Sequence, residues 1–207
     1  MIISHSHQFI FYAIPKTASQ ALRLSLRPHL SGNDWEQCIL NDIKSFPVKS
    51  LADIKHGHLS YREISPFLLQ EMKDNYFSFC VVRDPVDRLL SFAHFHPKYK
   101  DQMAKHPMES LENILDDPQR MRHILLWPQS EFVVDITGNL VVDYIGRYEN
   151  IDEIPKHLSE HLGLEISPLQ YVNASKRTIT CNDIDITVKN KIYRAYREDY
   201  RNFNYSL

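Results

Sequence analysis

Apolar positions along the chain alternate between two patterns. Gln8-Phe9-Ile10-Phe11-Tyr12-Ala13-Ile14 is a short run rich in aromatic and β-branched residues, which predicts a buried strand closed by Pro15. From Thr17 the spacing changes. Ala18, Ala21, Leu22, Leu24 and Leu26 recur with Arg23 and Arg27 between them, predicting a helix that stops near Pro28. The handover recurs at Tyr76–Val82, a second apolar run that leads straight into Arg83-Asp84-Pro85. Asp84 suits a helix cap and Pro85 a first helical position, and Leu89, Leu90 and Phe92 continue the apolar face.

Elsewhere the pattern is weaker. Residues 31–50 read as loops with a short helix, Ala52–His56 as a short strand, and Ser65-Pro66 as a helix start. Leu111–Leu115 and Arg120–Leu126 read as helices. Phe132–Asp135 and Leu140–Ile145 flank Thr137-Gly138-Asn139 as a hairpin. Ile151–Leu162 predicts a helix ended by Gly163, and Ile184, Val188, Ile192, Tyr196, Tyr200 and Phe203 predict one amphipathic C-terminal helix. Strands alternating with helices predict an α/β fold, a central and mainly parallel sheet flanked by helices. The length predicts a single domain over residues 1–207.

Charge changes this picture in one place. Lys and Arg total 24 against 26 Asp and Glu, for a formal net charge of −2, which argues against a general nucleic-acid binder. An anion site must therefore be local, and residues 1–33 contain Lys16, Arg23 and Arg27 but no acid. Cys38, Cys80 and Cys181 are odd in number and widely spaced, which suggests neither a disulfide framework nor a zinc knuckle and fits a reducing compartment. With no leader-like or membrane-spanning apolar run, the expectation is a soluble, cytoplasmic protein of undetermined oligomeric state.

Two segments carry candidate chemistry. Pro15-Lys16-Thr17-Ala18-Ser19-Gln20 lies where a strand passes to a helix, where unpaired N–H groups and the helix dipole suit a phosphate or sulfate. Lys16 offers an ammonium there, and Thr17 and Ser19 offer hydroxyls. The plainer alternative is a solvated Lys16 and a hydroxyl that merely caps the helix. A Walker A loop is excluded, because its glycines are absent. At the second junction Arg83 stands at the strand end and Ser91 about two turns into the helix, placed to converge on one phosphate. Here the alternatives are an Arg83–Asp87 pair and a packing role for Ser91.

Together these segments resemble the sulfotransferase superfamily that uses 3′-phosphoadenosine 5′-phosphosulfate (PAPS). Phe11–Gln20 is similar to its 5′-phosphosulfate loop and Val82–Ser91 to its 3′-phosphate motif. The Pro-Lys-Thr-Ala-Ser loop resembles the carbohydrate branch, including heparan sulfate uronyl 2-O-sulfotransferases. Weaker likeness continues through Asp143–Asn150 and Asn173-Ala174-Ser175 to Asp199–Tyr205.

The resemblance implies a PAPS-dependent enzyme that releases PAP and sulfates a glycan or small-molecule hydroxyl without a metal. It assigns Pro15, Lys16, Thr17, Ala18, Ser19, Gln20, Arg83 and Ser91 to the donor, and Lys16 also to catalysis. Ser175-Lys176-Arg177 reads either as a late cationic loop that closes over the nucleotide, with Lys176 as a donor-binding residue, or as a solvated charge cluster on a loop. Within His56-Gly57-His58 it makes His58 the base, with His56 second. The competing reading of these histidines is a structural one. His5/His7 and His94/His96 repeat the His-x-His spacing but lack the further ligands that a metal centre needs. Tyr61, Phe95, Tyr99 and Trp127 are candidates to line an acceptor site. The rival functions are a kinase-like phosphotransferase and a catalytically inactive nucleotide-binding module.

Overall fold

The computed structural model describes residues 1–38, 43–44, 46–169 and 177–206. Its strands are β1 (Ile2–Ser4), β2 (Phe9–Tyr12), β3 (Trp35–Cys38), β4 (Ile43–Lys44), β5 (Phe77–Val82) and β6 (Tyr144–Arg147). Its helices are α1 (Ser19–Leu26), α2 (Lys49–Ala52), α3 (Tyr61–Ile64), α4 (Gln70–Asn75), α5 (Pro85–Phe95), α6 (Pro97–Lys105), α7 (Pro107–Leu115), α8 (Pro118–Met121), α9 (Ile154–Leu162), α10 (Ile186–Ala195) and α11 (Arg197–Phe203).

The chain divides into two compact units, residues 1–82 with 131–172, and residues 83–130 with 173–207. The first holds a mixed sheet of order β4-β3-β1-β2-β5-β6. On one side of it β2, β5 and the edge strand β6 are parallel, with Tyr12 opposite Cys80 and Val82 opposite Arg147. Both predicted junctions therefore begin at the carboxyl ends of neighbouring parallel strands, where open α/β sheets place ligands. Phe9, Phe11, Phe79 and Val81 pack one face against Leu22 and Leu26 of α1 and Ile154 and Leu158 of α9. The α/β class with helices on a parallel core is as expected; the antiparallel half, β1, β3 and β4, is not.

Several local expectations are corrected. Residues 31–50 contain β3, β4 and the start of α2 rather than loops around one helix. Ala52–His56 is not a strand, since Gln37 Nε2 on β3 donates to the carbonyls of Ile54 (3.1 Å) and His56 (2.9 Å) in place of a backbone ladder. The helix start expected at Ser65 lies at Tyr61. There Ser60 and Glu63 form a reciprocal cap, each side chain accepting from the other's backbone N–H. The predicted hairpin reduces to one bridge, Val134 with Leu140, around Gly138 at φ +86°, and its second arm joins β5 instead.

In the second unit, α5 has the predicted Asp84 cap, whose side chain accepts from Asp87 N–H, and Pro85 begins the helix. Leu89, Leu90 and Phe92 of α5 pack with Met103, Leu111, Ile114 and Ile192. The single C-terminal helix is broken at Tyr196 into α10 and α11. Beyond the break, buried Asp199 accepts from Gln129 N–H (2.8 Å), Ser130 N–H (2.8 Å) and Ser130 Oγ (2.9 Å). Gln129 in turn accepts from Arg83 N–H at 2.9 Å and donates to its carbonyl at 2.8 Å. Asp199→Ala strands these buried donors and should cost about 3 kcal/mol. Thermal denaturation should show a melting temperature lower by roughly 6–12 °C; an unchanged midpoint contradicts the bracing role.

Candidate active site

The segment after β2 turns sharply without glycine. Lys16 and Ala18 have φ of +66° and +64°, a conformation costing a non-glycine residue about 1–2 kcal/mol. Left-handed residues flanking Thr17 are the backbone device that gathers successive N–H groups into an anion-binding concavity. The α1 helix then starts at Ser19 with no side-chain cap at Ala18 and no acid in its first turn. By contrast, Ser60, Asp84 and Asp185 cap α3, α5 and α10. The first N–H groups of α1 have no carbonyl one turn back, so its end suits an external anion.

Pro15, Lys16, Thr17, Ala18, Ser19 and Gln20 share this turn, though not all in the roles expected. The Thr17 hydroxyl donates to Ile14 O at 3.0 Å and braces the turn from inside. Gln20 Oε1 accepts from Cys38 Sγ of β3 at 3.5 Å. Lys16 is half-buried and Ser19 is buried. The acid-free stretch is less cationic than its composition suggests. Arg23 and Arg27 both pair with Glu36 of β3, at 3.1 and 3.0 Å.

Arg23 also holds the histidine segment. Its Nη2 and the Met1 nitrogen each donate to Gly57 O at 2.7 Å. A Cβ on Gly57 would lie 2.8 Å from Gln37 O and 3.1 Å from Cys38 Cα, so this contact accepts only glycine. The His58 ring is thereby set against the end of β2, with Nδ1 at 2.6 Å from Ala13 O. A carbonyl only accepts, so Nδ1 carries the proton and Nε2 presents a lone pair. Burial pushes the His58 pKa down to about 3, against the raising effect of the Ala13 carbonyl, and the Met1 nitrogen, Arg23 and His56 lower it further. The imidazole is neutral at physiological pH.

In the second unit, buried Arg83 places Nε 2.5 Å from Asp87 Oδ2, so the pairing alternative is realised. The same carboxylate takes the Arg177 guanidinium on Oδ1, with Cys181 Sγ at 3.7 Å from that oxygen. Burial would raise the Asp87 carboxyl, but the two guanidiniums outweigh it and hold the pKa below the usual range. Ser91 is buried on α5. Arg177, which sequence reasoning placed only within a covering loop, meets the Arg83 motif through Asp87. Their separation of 90 residues left no local signal. Lys176 and Asn173-Ala174-Ser175 lie outside the described residues.

Other candidates have structural surroundings. His94 Nδ1 lies 2.9 Å from Leu90 O, and its Nε2 accepts from Thr178 N–H at 3.2 Å. Tyr99 is a core residue, and Trp127 Nε1 donates to Arg122 O. Among the described residues no group of three or more His, Cys, Asp or Glu is arranged to hold a metal ion. No helix among them is long and apolar enough to cross a membrane.

The chain matches the model of the Sulfotransferase family over residues 1–206. It belongs to that family. No curated protein and no solved structure matches it.

The His58 shift has a stability consequence. Because the folded pKa lies below the unfolded value of about 6.5, the unfolded chain binds the proton first as pH falls. The contribution is complete above pH 6.5 and declines toward pH 3, by up to about 1.4 kcal/mol per pH unit. Urea denaturation between pH 7 and pH 5 should show this slope, and His58→Gln should flatten it by one proton's worth. Equal slopes in both proteins contradict the half-buried neutral histidine.

Proposed function

We propose that this chain transfers the sulfuryl group of PAPS to a hydroxyl of a carbohydrate, with His58 as the base. The observation that carries the reading is the 2.6 Å bond between His58 Nδ1 and Ala13 O. It ties the histidine to the backbone three residues before Lys16 and leaves Nε2 as the proton acceptor. Support for a glycan comes from the likeness of the Pro-Lys-Thr-Ala-Ser loop and His-Gly-His segment to the carbohydrate branch. Cys38, Cys80 and Cys181, none in a disulfide among the described residues, fit a reducing, cytoplasmic setting.

The bound donor supplies the sulfuryl group. On this reading His58 Nε2 takes the acceptor's hydroxyl proton as that oxygen bonds to sulfur. The Lys16 ammonium stabilises the phosphate oxygen that keeps the electron pair of the broken S–O bond. The first N–H groups of α1, with Ser19, hold the 5′-phosphate, an arrangement of fixed dipoles that needs no reorganisation as charge develops. Thr17 keeps the turn in shape. Arg83 and Ser91 take the 3′-phosphate. A free imidazole held near pKa 3 is always unprotonated but weakly basic. A polyanionic donor opposes the cationic neighbours that depress it and moves it toward the working range.

Lys16→Ala should lower turnover by about 10²–10³, the usual loss for one transition-state donor. His58→Ala should lose turnover while still binding PAP, and Arg83→Ala should mainly weaken PAP binding. Radiolabelled PAPS transfer to a panel of glycans, lipids and small alcohols, with PAP titration of each variant, measures all three. Near-normal turnover by His58→Ala would remove the histidine from the mechanism, and transfer only to non-carbohydrate alcohols would overturn the acceptor class.

A further inference from the structure

One side chain of the second unit is left unsatisfied by everything described above. Tyr200 of α11 is only 4% exposed, and its hydroxyl has no hydrogen-bond partner among the described residues. A buried hydroxyl in that state costs about 1–3 kcal/mol, and such groups are rare enough in native folds to need an explanation.

The surroundings of the phenol narrow that explanation. Its electrostatic neighbours are Asp84, Cys181, Asp199 and Tyr193, and the Tyr193 ring lies 5.1 Å away. Asp84 adjoins Arg83 in the chain, and Cys181 reaches the carboxylate on which Arg83 and Arg177 meet. The nearby carboxylates have other donors, and Asp84 Oδ1 accepts from Asp87 N–H at the start of α5. Asp199 uses both oxygens on Gln129 and Ser130, and Asp87 uses both on the two guanidiniums. Burial raises the phenol's pKa, so the group stays protonated and donates. A donor that lacks an acceptor, and whose neighbours Asp84 and Cys181 adjoin Arg83 and its Asp87 partner, is matched by an oxyanion rich in acceptor lone pairs, and a phosphate is the simplest.

We infer that the Tyr200 hydroxyl donates a hydrogen bond to the phosphate group recognised by Arg83. This rests on the reading of Arg83 and Ser91 as the 3′-phosphate motif. It makes Tyr200 a further donor-binding residue, one that distinguishes a 3′-phosphorylated nucleotide from its unphosphorylated counterpart.

Tyr200→Phe removes one oxygen and keeps the ring, so the variant is expected to fold. In calorimetric titration its affinity for PAP should fall roughly 10–100-fold, the range for a hydrogen bond to a charged group. Its affinity for adenosine 5′-phosphosulfate, which lacks the 3′-phosphate, should be unchanged. Without ligand the variant should melt at the same or a higher temperature, because an unsatisfied buried group has been removed. Unchanged PAP affinity, equal losses for both nucleotides, or a lower melting temperature revealing an internal partner would each overturn the inference. If the unmodified chain fails to bind PAP, the 3′-phosphate reading falls and this inference with it. Normal binding of PAP by both proteins removes the inference alone.

Discussion

The candidate catalytic arrangement depends on one short hydrogen bond, from His58 Nδ1 to the Ala13 carbonyl. Ala13 follows β2 directly, so the ring is referenced to the strand whose continuation is the Pro15–Gln20 turn. The bond also sets the tautomer, which decides the nitrogen that faces chemistry. Its geometry is maintained from behind. Gly57 lets the backbone approach Gln37 and Cys38 more closely than any side chain permits. Arg23 and the Met1 nitrogen hold the Gly57 carbonyl, and Gln37 holds the carbonyls on the preceding bend. Rigid support of this kind fixes the His58 ring in the position that the proposed role as base requires.

The second unit reaches the same end by different means. Arg83 is not left to solvent at the strand end. Its backbone is clasped by Gln129, which is itself held by Asp199, while its guanidinium shares Asp87 with Arg177. A chain of buried polar groups of this type fixes orientation more than it adds stability, because the cost of desolvating the charges offsets much of their attraction. The net charge of −2 is consistent with this. Arg23 and Arg27 are answered by Glu36, and Arg83 and Arg177 by Asp87.

The parts of the fold legible in the sequence are those written locally. The β2–α1 and β5–α5 junctions follow from apolar runs that end in Pro15 or in Asp84-Pro85, and they place Lys16, Arg83 and Ser91 at once. The missed strand β3 has a physical reason. Glu36 and Gln37 are buried on it, where Glu36 pairs with Arg23 and Arg27 and the Gln37 amide nitrogen donates to distant carbonyls, so the run Trp35-Glu36-Gln37-Cys38 carries no apolar alternation. The break at Tyr196 was hidden because its ring continues the apolar spacing while its backbone leaves the helix. The Arg83–Asp87–Arg177 cluster and the orphaned Tyr200 hydroxyl are long-range features, created when separate segments pack. The His58 motif lay between these cases: its residues were visible, but the nitrogen left to act was not.

That tautomer is the central claim, and nitrogen-15 NMR of histidine-labelled protein tests it most directly, with His58 assigned by comparison with a His58→Gln variant. Near neutral pH, Nδ1 should resonate as a protonated and Nε2 as an unprotonated ring nitrogen, with no titration between about pH 8 and pH 5. A proton on Nε2, or a midpoint near the ordinary value of about 6.5, would contradict the account.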